Sequence, residues 1–177
     1  ILELGCGAGV GLLSLARAFP ECTVTGVDPD EVSVARARER IEQAGLSGRV
    51  AAEVMRSEDL NIENVFEFVY VQTALHEMDD VVTALANARR ALVDGGVLLV
   101  TEVRGAERVE EATGAYHAVL AHMDLFYELP QSLAKGGLGV GFLNRQQVEA
   151  LAVGAGFTEV RELDLPVPLY AAFYAVK

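Results

Sequence analysis

Short apolar runs alternate along this chain with stretches whose apolar residues recur every three or four positions. That alternation predicts strands and helices in turn. Residues 1–4 form an apolar run and predict a strand, and residues 10–19 carry leucine and alanine at helical spacing before Pro20 stops them. Residues 23–27 are β-branched and predict a second buried strand that ends at Asp28-Pro29. Residues 31–44 predict a helix with Val32, Ala35, Ile41 and Ala44 on its inner face, arginines opposite and Gly45 at its end. Residues 49–55 and Phe66–Gln72 predict the third and fourth strands. Residues 81–92 predict a helix closed by Asp94-Gly95-Gly96, and residues 97–103 an apolar fifth strand. Strands alternating with helices imply a parallel sheet covered on both faces.

The alternation breaks after Arg104. Residues 105–129 predict a helical insertion with Tyr116, Val119, Leu120, Met123, Leu125 and Phe126 apolar, either walling an apolar pocket or packing on the sheet. The glycine-dense stretch 136–141 follows, as a lid hinge or a plain loop. Residues 144–154 predict a helix with Asn144 as N-cap and Val148, Leu151 and Ala152 inward. Thr158–Leu163 and Tyr170–Val176 predict two late strands joined only by a short proline-containing link, hence antiparallel.

Length and charge narrow the classes of function. A chain of 177 residues, 51% apolar, suits one domain with one substantial core. No apolar stretch is long and uncharged enough for a membrane span, and no signal-peptide pattern is present. A net charge of −12 disfavours attraction to nucleic acid phosphates. The two cysteines, Cys6 and Cys22, are too few for a disulfide scaffold or a zinc site, so reduced thiols in the cytoplasm and no metal are expected. The chain opens with Ile inside what should be a core strand, so upstream residues are expected to precede it and to contribute to the substrate site or a homodimer.

The candidate chemistry begins at the first strand. Glycine at positions 5, 7 and 9 lets the backbone turn tightly beside a ligand, and the next helix offers unpaired N–H groups. A dinucleotide site uses the same device for pyrophosphate. Here Glu3 lies two residues before the first glycine, where a carboxylate repels phosphate and welcomes a cationic ligand such as S-adenosylmethionine. Asp28 ends the second strand, with two oxygens suited to ribose hydroxyls; alternatively Asp28-Pro29-Asp30 is a turn and helix cap.

These residues resemble the class I S-adenosylmethionine-dependent methyltransferases. The resemblance is carried by Glu3-Leu4-Gly5-Cys6-Gly7-Ala8-Gly9, by Gly26-Val27-Asp28-Pro29, by residues 72–80 and 92–100, and by Ala155-Gly156-Phe157-Thr158-Glu159-Val160. It implies an α/β fold: a Rossmann-like, doubly wound seven-stranded sheet, mostly parallel with the last strand antiparallel. It implies that Glu3, Gly5, Cys6, Gly7 and Gly9 border the methionine portion of the cofactor. Asp28 then binds the ribose, Pro29 packs near the adenine, and Gln72 and Thr73 complete the cofactor contacts. Family members usually carry an acidic residue after the third strand to meet the adenine amine. Arg56 stands there in this chain, leaving Glu58 or Asp59 as a substitute, or Ser57 through its backbone and hydroxyl.

The segment Leu75-His76-Glu77-Met78-Asp79-Asp80 is similar to one in small-molecule O-methyltransferases, in which the matching histidine is a general base. His76 either takes the acceptor's proton or serves structurally, capping the helix at 81–92; Glu77 and Asp79 either orient the imidazole or charge that helix terminus. His117 and His122 are five apart, not the four of a helical metal pair. The later segments are also similar to bacterial methyltransferases with an upstream winged-helix dimerisation domain. The expected function is methyl transfer from S-adenosylmethionine to a small-molecule acceptor. The alternative is a non-catalytic S-adenosylmethionine-binding regulatory or scaffold domain. A nicotinamide-dependent dehydrogenase is disfavoured by Glu3 and by the glycine spacing.

Overall fold

The structure, a computed structural model, describes residues 1–135, 137, 139, 141–166 and 169–177. Seven strands form one sheet in the order β3-β2-β1-β4-β5-β7-β6. They are β1 Leu2–Leu4, β2 Val24–Asp28, β3 Val50–Val54, β4 Phe66–Gln72, β5 Leu92–Val103, β6 Thr158–Leu163 and β7 Tyr170–Val176. β1 to β5 run parallel, whereas β7 is antiparallel to both β5 and β6. The mostly parallel, seven-stranded sheet with its last strand antiparallel is therefore present as the sequence predicts.

Six α-helices accompany the sheet among the described residues: α1 Val10–Ala18, α2 Glu31–Gln43, α3 Val81–Ala91, α4 Gly114–Met123, α5 Leu129–Lys135 and α6 Arg145–Gly154. On one face, α1 and α2 lay Leu12, Ala16, Val34, Ala37 and Ile41 over Val24, Val50 and Ala52. On the other, α3 and α6 lay Val81, Leu85, Ala88, Val148 and Ala152 over Leu2, Leu4, Val69, Val71, Leu98 and Val100. Each such aliphatic side chain, fully buried, contributes roughly 1.5–3 kcal/mol. Asn144 caps α6 in a reciprocal capping box with Gln147.

Three expectations need correction. The buried face of α2 is Val34, Ala37 and Ile41, an i, i+3, i+7 stripe; Val32, Ala35 and Ala44 point to solvent. The two stripes share Ile41, and the sheet takes the one with i, i+3, i+7 spacing, with Arg38 at its edge donating to Ala52 O of β3 at 2.8 Å. The strand predicted from Val97 starts at Leu92 and contains Asp94-Gly95-Gly96 as an irregularity in its pairing with β4. In the insertion, α4 begins only at Gly114; before it lies a short 3₁₀ turn at Val109–Glu111. Of its apolar positions only Leu120 is buried, while Val119, Met123, Leu125 and Phe126 are exposed. They therefore do not pack on the sheet. The proline-containing link and the glycine-dense stretch fall in part on residues 136, 138, 140, 167 and 168, outside the described ones.

The strand order reverses between β1 and β4. The chain winds outward from β1 through β2 and β3, then returns to β4 on the other side. In open α/β sheets the crevice at the carboxyl ends of two such strands is where ligands bind. The loops that follow β1 and β4 both open there.

Candidate active site

The loop after β1 is built against its neighbours. Gly5 and Cys6 donate their N–H groups to Val27 O at 2.9 and 3.1 Å, and Arg40 Nη1 donates to Ala8 O at 2.9 Å. Gly5 has φ +70°, and a Cβ there would lie 2.5 Å from Ala74 Cβ, so only glycine lets this loop touch the loop after β4. The helix α1 that follows has no side-chain cap, and its first turn holds no acidic residue.

Glu3 lies beneath this loop, 2% exposed. Its carboxylate rests against Gly11, where a Cβ would collide with it. Its Oε2 has no hydrogen-bond partner among the described residues. Burial, and then the charge of Asp28, push its carboxyl up to about 8. A buried, unpartnered carboxyl beside uncapped helix N–H groups suits a ligand that brings a cationic group and no phosphate. Cys6 is different: its thiol is buried in the α1–α2 core beside Gly26 and Leu12, so only its backbone is left to border a ligand.

Asp28 Oδ2 accepts from Gly7 N at 2.8 Å, and Oδ1 accepts from Asp30 N at 2.9 Å. Each carboxylate oxygen keeps a further lone pair. The cap of α2 is Asp30, which accepts from Ser33 N. Asp28 is thus not spent on capping, and it ties the glycine loop to the end of β2. Pro29 is exposed beside it.

After β3, Arg56 is drawn outward, paired with Asp79 at 2.5 Å and Glu58 at 3.5 Å. Glu58 also accepts from Asp80 N at 3.0 Å. Ser57 is buried and Asp59 exposed. Asn87 of α3, which sequence reasoning did not single out, donates to Ser57 O and Glu58 O and holds this turn. Gln72 ends β4 exposed. Thr73 takes a left-handed φ of 45° and donates to Thr101 O at 2.7 Å, which anchors the start of the next loop on β5.

That loop carries His76, 4% exposed. Its Nδ1 lies 2.8 Å from Glu102 Oε2, while Glu102 Oε1 accepts from Leu75 N at 3.0 Å. Glu102, 0% exposed, accepts from both groups, so the ring proton sits on Nδ1 and Nε2 is the free nitrogen. Nε2 lies 3.5 Å from Glu128 Oε2, and the ring of Phe142 meets the imidazole edge-on at 5.2 Å between centroids. Burial alone lowers the basicity of His76. The hydrogen bond and charge of Glu102, with Glu128 and Glu77, outweigh it and raise the pKa above the ordinary 6.5. Glu128 is in turn pushed up by burial. A π-helical turn, Asp124–Glu128, joins α4 to α5 and has an acid at each end: Glu128 beside His76, and Asp124 accepting from Phe142 N at 3.0 Å.

Several sequence-based roles change. Glu102, not Glu77 or Asp79, orients His76; Glu77 is exposed and Asp79 is held by Arg56. Asp80, not His76, caps α3, by accepting from Thr83 N and Oγ1 at 3.0 and 2.6 Å. His117 and His122 each bond a carbonyl of their own helix. Glu102 carried a signal that sequence reasoning passed over: it shares strand parity with buried Leu98 and Val100, so a carboxylate had to lie on the core face. Glu128 and Phe142 carried none. His76, Glu77 and Glu128 also place three ligand-type atoms within 4.8 Å of one another. A separate cleft of about 460 Å³ opens beside β6; of its three arginines, Arg104 pairs with Glu162 at 2.6 Å, Arg145 with Glu149 at 2.9 Å, and Arg161 lies over the Tyr174 ring at 4.9 Å.

The doubly wound sheet, the glycine loop and Asp28 at the reversal of strand order define a class I S-adenosylmethionine-dependent methyltransferase domain. The methyltransferase-domain family model matches residues 1–96, and the chain belongs to that family. It is 28% identical over 167 residues to malonyl-[acyl-carrier protein] O-methyltransferase of Geobacter sulfurreducens, covering 93% of this chain and 57% of that protein. It is 32% identical over 132 residues to 27-O-demethylrifamycin SV methyltransferase of Amycolatopsis mediterranei, covering 68% of this chain and 48% of that protein. The chain thus spans about half the length of these curated relatives. An O-methyltransferase family protein from Burkholderia thailandensis shares the fold, with a TM-score of 0.78 and 19% identity over 99% of this chain and 50% of its own. No helix among the described residues is long and apolar enough to cross a membrane.

Proposed function

We propose that this domain methylates a hydroxyl of a small-molecule acceptor, with His76 as general base and Glu102 as the residue that orients it. One observation carries the reading: His76, held at Nδ1 by a fully buried carboxylate, sits on the loop whose Ala74 packs on the glycine cradle. Of the two curated relatives named above, one is named an O-methyltransferase and the other a methyltransferase of 27-O-demethylrifamycin SV, and both names support the choice of oxygen.

The cradle fits S-adenosylmethionine by the chemistry of its donors. Asp28 would receive the ribose hydroxyls, and Glu3 with the uncapped turn of α1 would receive the charged methionine end. When bound, the cofactor supplies a methyl group on a sulfonium, which is already an excellent leaving group. What remains for the protein is alignment and proton removal. His76 Nε2 takes the hydroxyl proton as the acceptor oxygen becomes nucleophilic, and Glu102 stabilises the imidazolium that forms. Glu128 adds a second negative charge on the far side of the ring. The exposed apolar residues of α4 and the π turn supply a wall for an apolar or aromatic acceptor.

The test is methyl transfer from labelled cofactor to a panel of phenols, alcohols, amines and carboxylic acids. His76→Gln is expected to abolish turnover of a phenol while S-adenosylhomocysteine still binds. Asp28→Asn is expected to weaken that binding roughly 10- to 100-fold, about 1.5–3 kcal/mol for hydrogen bonds to a charged group. Unchanged turnover in the His76 variant would refute the general base.

A further inference from the structure

The cradle contains a titratable group that the chemistry of methyl transfer does not use. Glu3 is buried on the central strand, and none of its neighbours among the described residues offers it a cation. On β2 the nearby ionisable group is Asp28, a second carboxylate. On β4 the residue in register with Glu3 is Tyr70, whose phenol bonds Thr101 instead. In the glycine loop it is Cys6, and α1 has no acidic side chain in its first turn and its basic one, Arg17, in its last. A lone carboxylate so placed is unstable as an anion until a positive charge arrives.

Resting on the cofactor assignment above, we infer that Glu3 holds a proton while the cradle is empty and releases it to solvent when the ammonium of the cofactor's methionine end settles beside it. Cofactor binding is then a proton-exchange reaction. The balance is one carboxylic acid and one ammonium going to one carboxylate–ammonium pair, with the proton passed to buffer. No other neighbour competes for this role. The Cys6 thiol is pushed up to about 12, by burial and then by Glu3 and Asp28, and the Tyr70 phenol is raised above 10 by burial, so both stay neutral near pH 7. Glu3, pushed up to about 8, is the group poised to exchange there.

The consequence is a cofactor affinity that strengthens as pH rises toward 8 and weakens in acid, independently of the acceptor and of His76. It follows from the burial of Glu3 rather than from any contact to the reacting methyl.

The experiment is calorimetric titration of the full chain with S-adenosylhomocysteine, which keeps the ammonium and lacks the sulfonium. Titrations run at several pH values in buffers of low and high ionisation heat. At pH 7 the larger part of a proton should be released per molecule bound, because Glu3 is mostly protonated there while the cradle is empty. By pH 9 that release should fall away, because Glu3 is then mostly ionised before binding. Glu3→Gln should show no release at pH 7. Infrared difference spectra of the unmodified chain give a second readout, the loss of a protonated-carboxyl band on binding. Tight binding without proton release at pH 7, or release that persists in Glu3→Gln, overturns the proposal and leaves the cofactor assignment standing. Absence of any binding to the folded chain overturns the cofactor assignment itself.

Discussion

Replacing Glu102 by glutamine separates the two things this residue does for His76. The side chain keeps its shape, and its oxygen can still accept from Leu75 N, now 3.0 Å away. Its amide, however, presents N–H to His76 Nδ1, where Oε2 now accepts at 2.8 Å. The ring must then carry its proton on Nε2, and the base proposed for His76 would be lost through its tautomer. The charge is lost as well. A hydrogen bond to a charged group contributes roughly 1.5–3 kcal/mol, so the imidazolium should lose about ten- to a hundredfold in proton affinity. The chain has three histidines, which makes ring proton resonances readily assignable. In the native chain His76 should titrate above 6.5, because its carboxylate neighbours outweigh burial; in Glu102→Gln it should fall toward or below that value. Stability follows the same sign. A histidine raised in the folded state stabilises fully below about 6.5 and loses that contribution as pH rises through its folded value; the variant should lack this slope. Turnover should fall at least about 10²-fold, the lower end of what general-base catalysis supplies. A His76 titration unchanged in Glu102→Gln would refute the reasoning at its root, whatever happened to turnover.

Other outcomes follow from the cradle and its loop. Glu3 binds its proton more tightly folded than unfolded, so the empty domain should lose stability from about pH 4.5 up through about 8. Glu3→Gln should remove most of that loss, a few kcal/mol above pH 7, measured by urea unfolding across pH. Gly5→Ala must place a Cβ 2.5 Å from Ala74 and hold alanine at φ +70°. Overpacking and left-handed strain together cost about 2–5 kcal/mol, a drop of roughly 5–15 °C in melting temperature, and product binding should weaken with it. Asn144→Ala should cost about 1 kcal/mol through the lost cap of α6 without changing S-adenosylhomocysteine binding, which calorimetry would check.

The sheet was legible because its signals are local. Apolar runs bounded by glycine, proline and aspartate marked all seven strands, two carboxyl-terminal strands without an intervening helix announced their antiparallel pairing, and Asn144 announced its cap. The glycine loop, Asp28 and His76 were legible for the same reason: each sits at a strand end, where side-chain type and position together have meaning. The inner face of α2 was misassigned because Val32, Ala35, Ile41 and Ala44 do not fall on one helical face, whereas Val34, Ala37 and Ile41 do. The surroundings of His76 were not legible, because they are long-range. Glu102 reaches it from the neighbouring strand and Glu128 from a π turn more than fifty residues on. Periodicity alone makes Glu128 one more acid on an exposed helix. The 105–129 stretch left two readings open, a pocket wall or packing on the sheet, and most of its apolar residues lie at the surface rather than on the sheet.

His76 sits in the loop after β4 and Glu102 on β5, and backbone pairing fixes where that loop starts: Gln72 lies opposite Thr101, and Thr73 N bonds Thr101 O, one residue before Glu102. The sheet acts as the ruler of the His76–Glu102 pair. A slip of one residue between β4 and β5 would turn Glu102 to the opposite face and bring Thr101 or Val103 into its place. Insertions and deletions along these two strands should therefore be far more damaging than substitutions of equal size. The loop that carries His76 is tied to the same ruler, because Glu102 Oε1 accepts from Leu75 N at 3.0 Å.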